Sequence, residues 1–201
     1  MDTEWEAKFL DIDKGELRNR LKFSGAKLVK PETLYKRAVF SLPQGHEKEG
    51  GWLRVRDEGD KITMSLKVTI NGQIETQKEI QLIVDNYDKA RQLLLEIGCI
   101  EKAYQETKRE VWELVNVEAT IDEWPYLEPY AELEGDSEEE VKNAAQLLGF
   151  DYNQAVFGAV DQVISKKYSI SEDVINNKIS RIVFNEPNPY LVWKKKGRII
   201  S

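Results

Sequence analysis

Glu4-Trp5-Glu6-Ala7-Lys8-Phe9 is the stretch on which the fold turns. A β-strand points successive side chains to opposite faces, so Glu4, Glu6 and Lys8 share one face while Trp5, Ala7 and Phe9 share the other. A solvated surface strand carries the same pattern, and a single match decides nothing. The pattern recurs along the chain. Over 52–57, Arg54 and Arg56 lie opposite Leu53 and Val55; over 61–70, Lys61, Thr63, Ser65, Lys67 and Thr69 alternate with Ile62, Met64, Leu66, Val68 and Ile70. The return over 74–84 carries Glu75, Gln77, Glu79 and Gln81 on one face, after an Asn71-Gly72 pair that signals a type I′ hairpin turn. Further on, Thr107, Arg109 and Val111 share a face, as do Glu118, Thr120 and Asp122, and Tyr130, Glu132 and Glu134.

Between these runs lie helical signals. Asp13 caps a helix through 24 with Leu17 and Leu21 on one face and Gly25 as its stop. Asp85 or Asn86 opens a second helix that ends at Gly98 with Ala90, Leu93, Leu94 and Ile97 apolar. Ser137-Glu138-Glu139-Glu140 is a capping box before a helix expected to bury Val141, Ala144, Leu147 and Leu148. Pro31 is expected to break the chain before a strand over 34–42, and 43–51 reads as a polar loop holding His46, the lone histidine. Beyond 150 the expectations are a helix over 154–168, a short one from Ser171, a strand over 179–184 and a basic tail from Lys194.

The composition of the 201 residues, 41% hydrophobic and 32% charged, is that of a globular protein, and no apolar run reaches membrane-spanning length. The start, Met1-Asp2-Thr3-Glu4, lacks the basic and apolar regions of a signal peptide, so the expected location is the cytoplasm. One cysteine, Cys99, excludes an intramolecular disulfide framework. A net charge of −7 argues against general nucleic-acid binding, though it leaves room for a locally basic pocket.

About eight antiparallel strands with charged faces can meet water as an open sheet, or close into a barrel whose lumen holds the charges while helices cover the outside. The charges favour closure, because acidic groups collect on the first and last strands and basic groups on the middle ones. Clustered carboxylates bind hard divalent cations and clustered Arg and Lys bind phosphate oxygens, so the two together describe a site for a metal–polyphosphate complex.

Glu4-x-Glu6-x-Lys8, Leu53-Arg54-Val55-Arg56, Leu66-Lys67, Lys108-Arg109-Glu110 and Glu128-Pro129-Tyr130-Ala131-Glu132-Leu133-Glu134-Gly135, in this order, resemble the CYTH domain of the triphosphate tunnel metalloenzymes. That superfamily includes class IV adenylate cyclases, thiamine triphosphatases and inorganic triphosphatases. The resemblance implies an α+β fold, an eight-stranded antiparallel closed β-barrel or tunnel with a charged lumen, over 1–150, with 151–201 a C-terminal helical extension and basic tail on the same domain. It implies a Mg²⁺ or Mn²⁺ held by Glu4 and Glu6, with Glu132 or Glu134 contributing, and Asp122 orienting a metal or its water. It implies that Lys8, Arg54, Arg56, Lys67 and Arg109 grip triphosphate oxygens, with Arg37 a further basic contact, and that Lys8, Arg54, Arg109 and Asp122 form the catalytic set. Two positions depart from the family pattern. Gln81 is neutral where paired acids are common, and Thr107 stands where a basic residue is common two before Arg109.

The expected activity is metal-dependent hydrolysis of a triphosphate-containing small molecule, since no adenine pocket is legible in the sequence. Adenylate cyclisation of ATP with pyrophosphate release is the alternative, and a non-catalytic polyphosphate-binding module a second one. No nucleic-acid or membrane partner is expected, and a homodimer is left open, as is the role of the extension. Of the tryptophans, Trp5 and Trp112 fall on outward faces under helices, while Trp52 and Trp124 are expected to pack in the core or at the rim.

Overall fold

The structure is a computed structural model describing residues 2–69 and 77–199. Among the described residues there are nine strands, β1 (Asp2–Phe9), β2 (Lys27–Ser41), β3 (Gly51–Asp57), β4 (Ile62–Thr69), β5 (Gln77–Val84), β6 (Ile100–Leu114), β7 (Val117–Glu123), β8 (Tyr130–Gly135) and β9 (Arg181–Ile182). The six helices are α1 (Lys14–Phe23), α2 (Tyr87–Glu96), α3 (Glu138–Leu147), α4 (Val160–Tyr168), α5 (Glu172–Asn177) and α6 (Pro189–Ile199). The α+β class and the antiparallel sheet expected from the sequence are both present. The strands run in the order β2-β3-β4-β5-β1-β8-β7-β6-β9, and β2 also pairs with β6. Only the short β9 is parallel to its neighbour.

Register carries the charges into alignment. Glu6 lies opposite Glu134 and Lys8 opposite Glu132, Glu118 opposite Glu134, Arg109 opposite Asp122, Lys67 opposite Glu79, and Arg37 opposite Arg56. A slip of one residue on any strand would send its charges to the apolar side, so burial of the outer face fixes the inner one.

Three local expectations are corrected. Pro31 does not stop β2, which runs 15 residues through it. The proline falls between register shifts at Leu28/Lys30 and Lys30/Thr33 in the pairing with β6, and β3 pairs only with the later part of β2, from Lys36. A bulge is where a strand can accommodate a residue lacking an N–H donor. The helix expected from 154 begins at Val160, because Val156 is drawn into an isolated bridge with Lys8. The basic tail is the helix α6. The Asn71-Gly72 turn lies outside the described residues.

The helices cover the apolar faces. Asp13, Asn86 and Ser137 accept the backbone N–H three residues on and so cap α1, α2 and α3. Glu140 reaches back in turn, its carboxylate accepting from the Asp136 N–H at 3.2 Å and the Ser137 hydroxyl at 3.3 Å, one residue beyond the N-cap N–H that a regular capping box uses. Leu17 and Leu21 of α1 and Val141, Ala144 and Leu148 beside α3 pack on Ala7, Phe9, Trp112, Ile121 and Leu133, with Trp5 partly buried against them. Helix α2 covers Ala38, Phe40 and Val55 with Ala90, Leu94 and the buried Cys99. A third cluster joins Trp124 and Tyr130 to Ile164, Ile175, Ile182 and Tyr190 from the C-terminal elements. Leu147, expected in the core, is exposed, and Ala145 takes its place.

Leu148→Ala is therefore expected to cost about 2–5 kcal/mol of unfolding free energy by chemical denaturation, against less than about 0.5 kcal/mol for Leu147→Ala. Equal costs would contradict this packing.

Candidate functional site

The charged faces of the strands line a cavity of about 1250 Å³. Lys8, Arg37, Arg54, Arg56, Lys67 and Arg109 all reach it, as do Glu6, Glu132 and Glu134. Every basic residue assigned to the phosphate grip is thus brought to one space. Asp122 does not line the cavity. It is 1% exposed and stands behind Arg109, which donates from Nε and Nη2 at 2.7 and 2.9 Å. Thr120 donates its hydroxyl to the same carboxylate at 2.6 Å. The backbone of Glu4 pairs with Gln77, and its side chain lies outside the described residues.

Acidic partners hold most of the cations. Lys8 is paired with Glu6, lies 3.3 Å from Glu132, and donates to the Gly158 carbonyl at 2.8 Å. Arg109 bridges Asp122 and Glu132, the latter at 2.8 Å. Lys67 and Arg54 share Glu79 at 2.9 and 3.2 Å. Arg56 donates to Glu58 from Nε and Nη2, and Glu58 also accepts from Thr63.

Two of the cavity's guanidiniums are left short of acceptors. Among the described residues neither Arg37 Nε nor Arg54 Nε, both buried, has a hydrogen-bond partner. Arg37 lies over the Trp124 ring at 4.6 Å and donates to Thr107 Oγ1 at 2.8 Å. The position where Thr107 lacks a charge is thus served by a guanidinium from the facing strand. Burial, then repulsion from Arg56 and Arg109, lowers the Arg37 pKa to about 10. Burial and Arg56 likewise push Arg54 well below the usual arginine value. A base so depressed destabilises the fold throughout the neutral range, and the cost is relieved only as pH rises through the lowered value. A bound polyanion removes the same cost without deprotonation.

Glu6, Glu132 and Glu134 form the one group of three candidate ligands among the described residues, each offering an oxygen within 4.8 Å of the others. An all-oxygen donor set suits a hard divalent cation such as Mg²⁺ or Mn²⁺. Burial works against ionisation of Glu132, but Lys8 and Arg109 outweigh it and hold the carboxyl well below its ordinary range. Glu134 is raised by burial and by Glu132, and Glu118 by burial. A cation placed among these close carboxylates would offset their mutual repulsion.

Glu118 and Tyr130 face the cavity from the charged faces on which alternation placed them, although the resemblance gave neither a role, and Trp124 and Glu58 line it as well. Glu58 follows the end of β3, outside any alternation. His46 is exposed in its loop, as expected.

With this geometry in place, the comparisons are informative. The CYTH domain model matches residues 2–161, so the chain belongs to the CYTH domain family. A Methanocaldococcus jannaschii protein named "Putative adenylate cyclase" is 25% identical over 169 residues, covering 82% of this chain and 95% of its own. A Vibrio parahaemolyticus structure named as a putative adenylate cyclase superposes with a TM-score of 0.69 at 15% identity, covering 82% of this chain and 98% of its own. A Hippeastrum structure described as a putative adenylyl cyclase with dominant triphosphatase activity superposes at 0.55 and 13% identity, covering 85% and 97%. At such identities these two structures speak to the fold alone.

If the arginine cluster is built for anions, Arg54→Met should unfold at or above the wild-type temperature in buffer alone. It should also lose most of the rise in melting temperature that tripolyphosphate gives the wild type, a rise worth about 2.7 kcal/mol at a ligand concentration 100-fold above Kd. A wild-type melting temperature indifferent to tripolyphosphate would contradict the anion reading.

Proposed function

We propose that this protein is a divalent-metal-dependent phosphohydrolase that cleaves a triphosphate-containing substrate inside a tunnel formed by β1 to β8. The observation that carries the reading is the juxtaposition, in one cavity, of three close carboxylates with a set of cations that includes two buried, incompletely paired guanidiniums. The pairing of β2 with both β3 and β6 supports a closed tunnel, since it leaves each of the eight strands with a neighbour on either side.

In this reading Glu6, Glu132 and Glu134 hold a Mg²⁺ or Mn²⁺, and Glu4 joins them from β1. The ion when bound would neutralise phosphate charge and acidify a coordinated water. Arg37, Arg54, Arg56 and Lys67 bind and orient the phosphate oxygens. Arg109, fixed by Asp122, keeps its guanidinium planar and aimed, so its charge meets the phosphoryl oxygens without reorganising as the transition state forms. Asp122 acts here through Arg109. Lys8, held between two carboxylates and a backbone carbonyl, stands where the metal and phosphate sites meet.

Adenylate cyclisation is the second reading, favoured by the names of the Methanocaldococcus and Vibrio relatives. Both reactions use the same phosphate grip, and the nucleophile separates them. Hydrolysis is preferred because a water nucleophile needs only the metal and the phosphate grip, and the Hippeastrum protein of the same fold is described as having a dominant triphosphatase activity. A cytoplasmic location belongs to the proposal; among the described residues no helix is long and apolar enough to cross a membrane.

Product analysis with Mg²⁺ or Mn²⁺ tests the proposal. Orthophosphate should be released from a triphosphate, be abolished by a chelator, and fall about 10²–10³-fold in kcat in Arg109→Ala. Cyclic AMP and pyrophosphate from ATP would establish the cyclase reading instead, and binding without turnover a non-catalytic module.

A further inference from the structure

Strand β5 has a partner on only one side for most of its length. Against β4 it is in register from Gln77 to Val84, but β1 accompanies it only at Gln77, Lys78 and Glu79. Among the described residues no strand lies beside Ile80-Gln81-Leu82-Ile83-Val84 on the side away from β4. Alternate residues of that run therefore turn their N–H and C=O groups to an open edge. The tunnel wall stops there too. The alternation that points Glu79 and Gln81 into the cavity continues to Ile83, yet Gln81 is exposed and Ile83 is 76% exposed.

The run carries none of the devices that keep a free edge from pairing. From Ile80 to Val84 there is no charge, proline or glycine, in a chain where 32% of the residues are charged. The register with β4 is unbroken, so no bulge twists the edge away. Its outer face is apolar as well. Ile80 and Leu82 are 45% and 53% exposed, in register with the half-buried Leu66 and Met64, and α2 covers β2 and β3 while leaving them open. An edge of this kind is a template for a further strand.

We propose that β5 pairs antiparallel with β5 of a second copy of this chain, across a two-fold axis at Leu82, and so joins the two sheets into one. The run is complementary to itself in that arrangement. Leu82 faces Leu82 of the second copy and Ile80 faces Val84, which makes the outer face a continuous apolar row. On the inner face Gln81 meets Ile83, and no like charges are brought together. The flanks match in charge. Exposed Lys78 precedes the run and exposed Asp85 follows it, so an antiparallel mate carries its Asp85 towards Lys78 at both ends. A two-fold pairing occupies both edges at once and closes, whereas a head-to-tail one leaves an edge free to grow. The second copy's strand then continues the wall beside Gln81. This pairing is independent of the triphosphate reading.

Size-exclusion chromatography with light scattering on the full chain tests it. The wild type should have the mass of two chains, in an equilibrium that loosens on dilution. Ile83→Lys places a charge on the edge from each copy and should raise the dissociation constant about tenfold or more, with an unchanged far-UV spectrum because the side chain is already exposed. Leu82→Cys should crosslink under molecular oxygen, two thiols being oxidised to one disulfide, since directly opposed residues of antiparallel strands have Cβ atoms about 4.5–5.5 Å apart. The native Cys99 is buried, so neither the wild type nor a Leu147→Cys control, at a similarly exposed position, should crosslink as fast. A wild type that is monomeric at every concentration, or a mass above two chains, would overturn the proposal. So would a dimer indifferent to Ile83→Lys, or a Leu82→Cys chain that crosslinks no faster than Leu147→Cys.

Discussion

The ion-pair chain Lys8–Glu132–Arg109–Asp122 crosses four strands, β1, β8, β6 and β7, and the site depends on it. Desolvating these groups costs several kcal/mol per ion before any pairing is counted, and a hydrophobic replacement of similar volume would often be as stable. The chain is therefore better explained by what it positions. Glu132 faces Lys8 on one side and Arg109 on the other, and its carboxyl is held ionised beside Glu6 and Glu134. Asp122, fully enclosed, gives both oxygens to Arg109 and receives the Thr120 hydroxyl, so neither side chain has another low-energy arrangement. Rigidity of this kind is what an electrostatic site requires, because groups already oriented do not reorganise during reaction.

Against this compensated half stands the other wall, where charge is in excess. Arg37 faces Arg56 across the β2–β3 pair, and Arg54 lies two residues before Arg56 on β3, in register with Val39. Glu79 and Glu58 answer part of that charge, and among the described residues the Nε groups of Arg37 and Arg54 remain without acceptors. Thr107 deepens the pattern. A basic residue there would have come from β6, whereas here the Thr107 hydroxyl accepts from Arg37 and the ring of Trp124 supports the guanidinium from below. The charge is kept and its origin moved to the facing strand.

Much of this was legible in the sequence where the physics is local. Alternation through β4, with Thr63, Ser65 and Lys67 against Ile62, Met64, Leu66 and Val68, survives into the structure, where the polar side chains are buried on the enclosed inner face while Ile62, Met64 and Leu66 are half-buried on the outer one. The Ser137 and Glu140 capping pair was legible because both partners lie within one turn. What escaped was decided by distant segments. Pro31 is tolerated because β6 bulges past it, α4 starts late because Lys8 captures Val156, and Leu147 turns outward while Ala145 faces the core. In the site, alternation placed Asp122 on the charged face correctly, but only the packing of β6 against β7 sets it behind Arg109 and out of the cavity.

In the proposed function a metal–triphosphate complex spans from the Glu6, Glu132 and Glu134 carboxylates to the arginines of β2 and β3. A crystal structure with Mn²⁺ and tripolyphosphate, phased at the manganese edge, tests it most directly. The account predicts an anomalous peak among those three carboxylates, with phosphate density against Arg37 and Arg54. Manganese bound elsewhere, or polyphosphate lying outside the cavity, would contradict it.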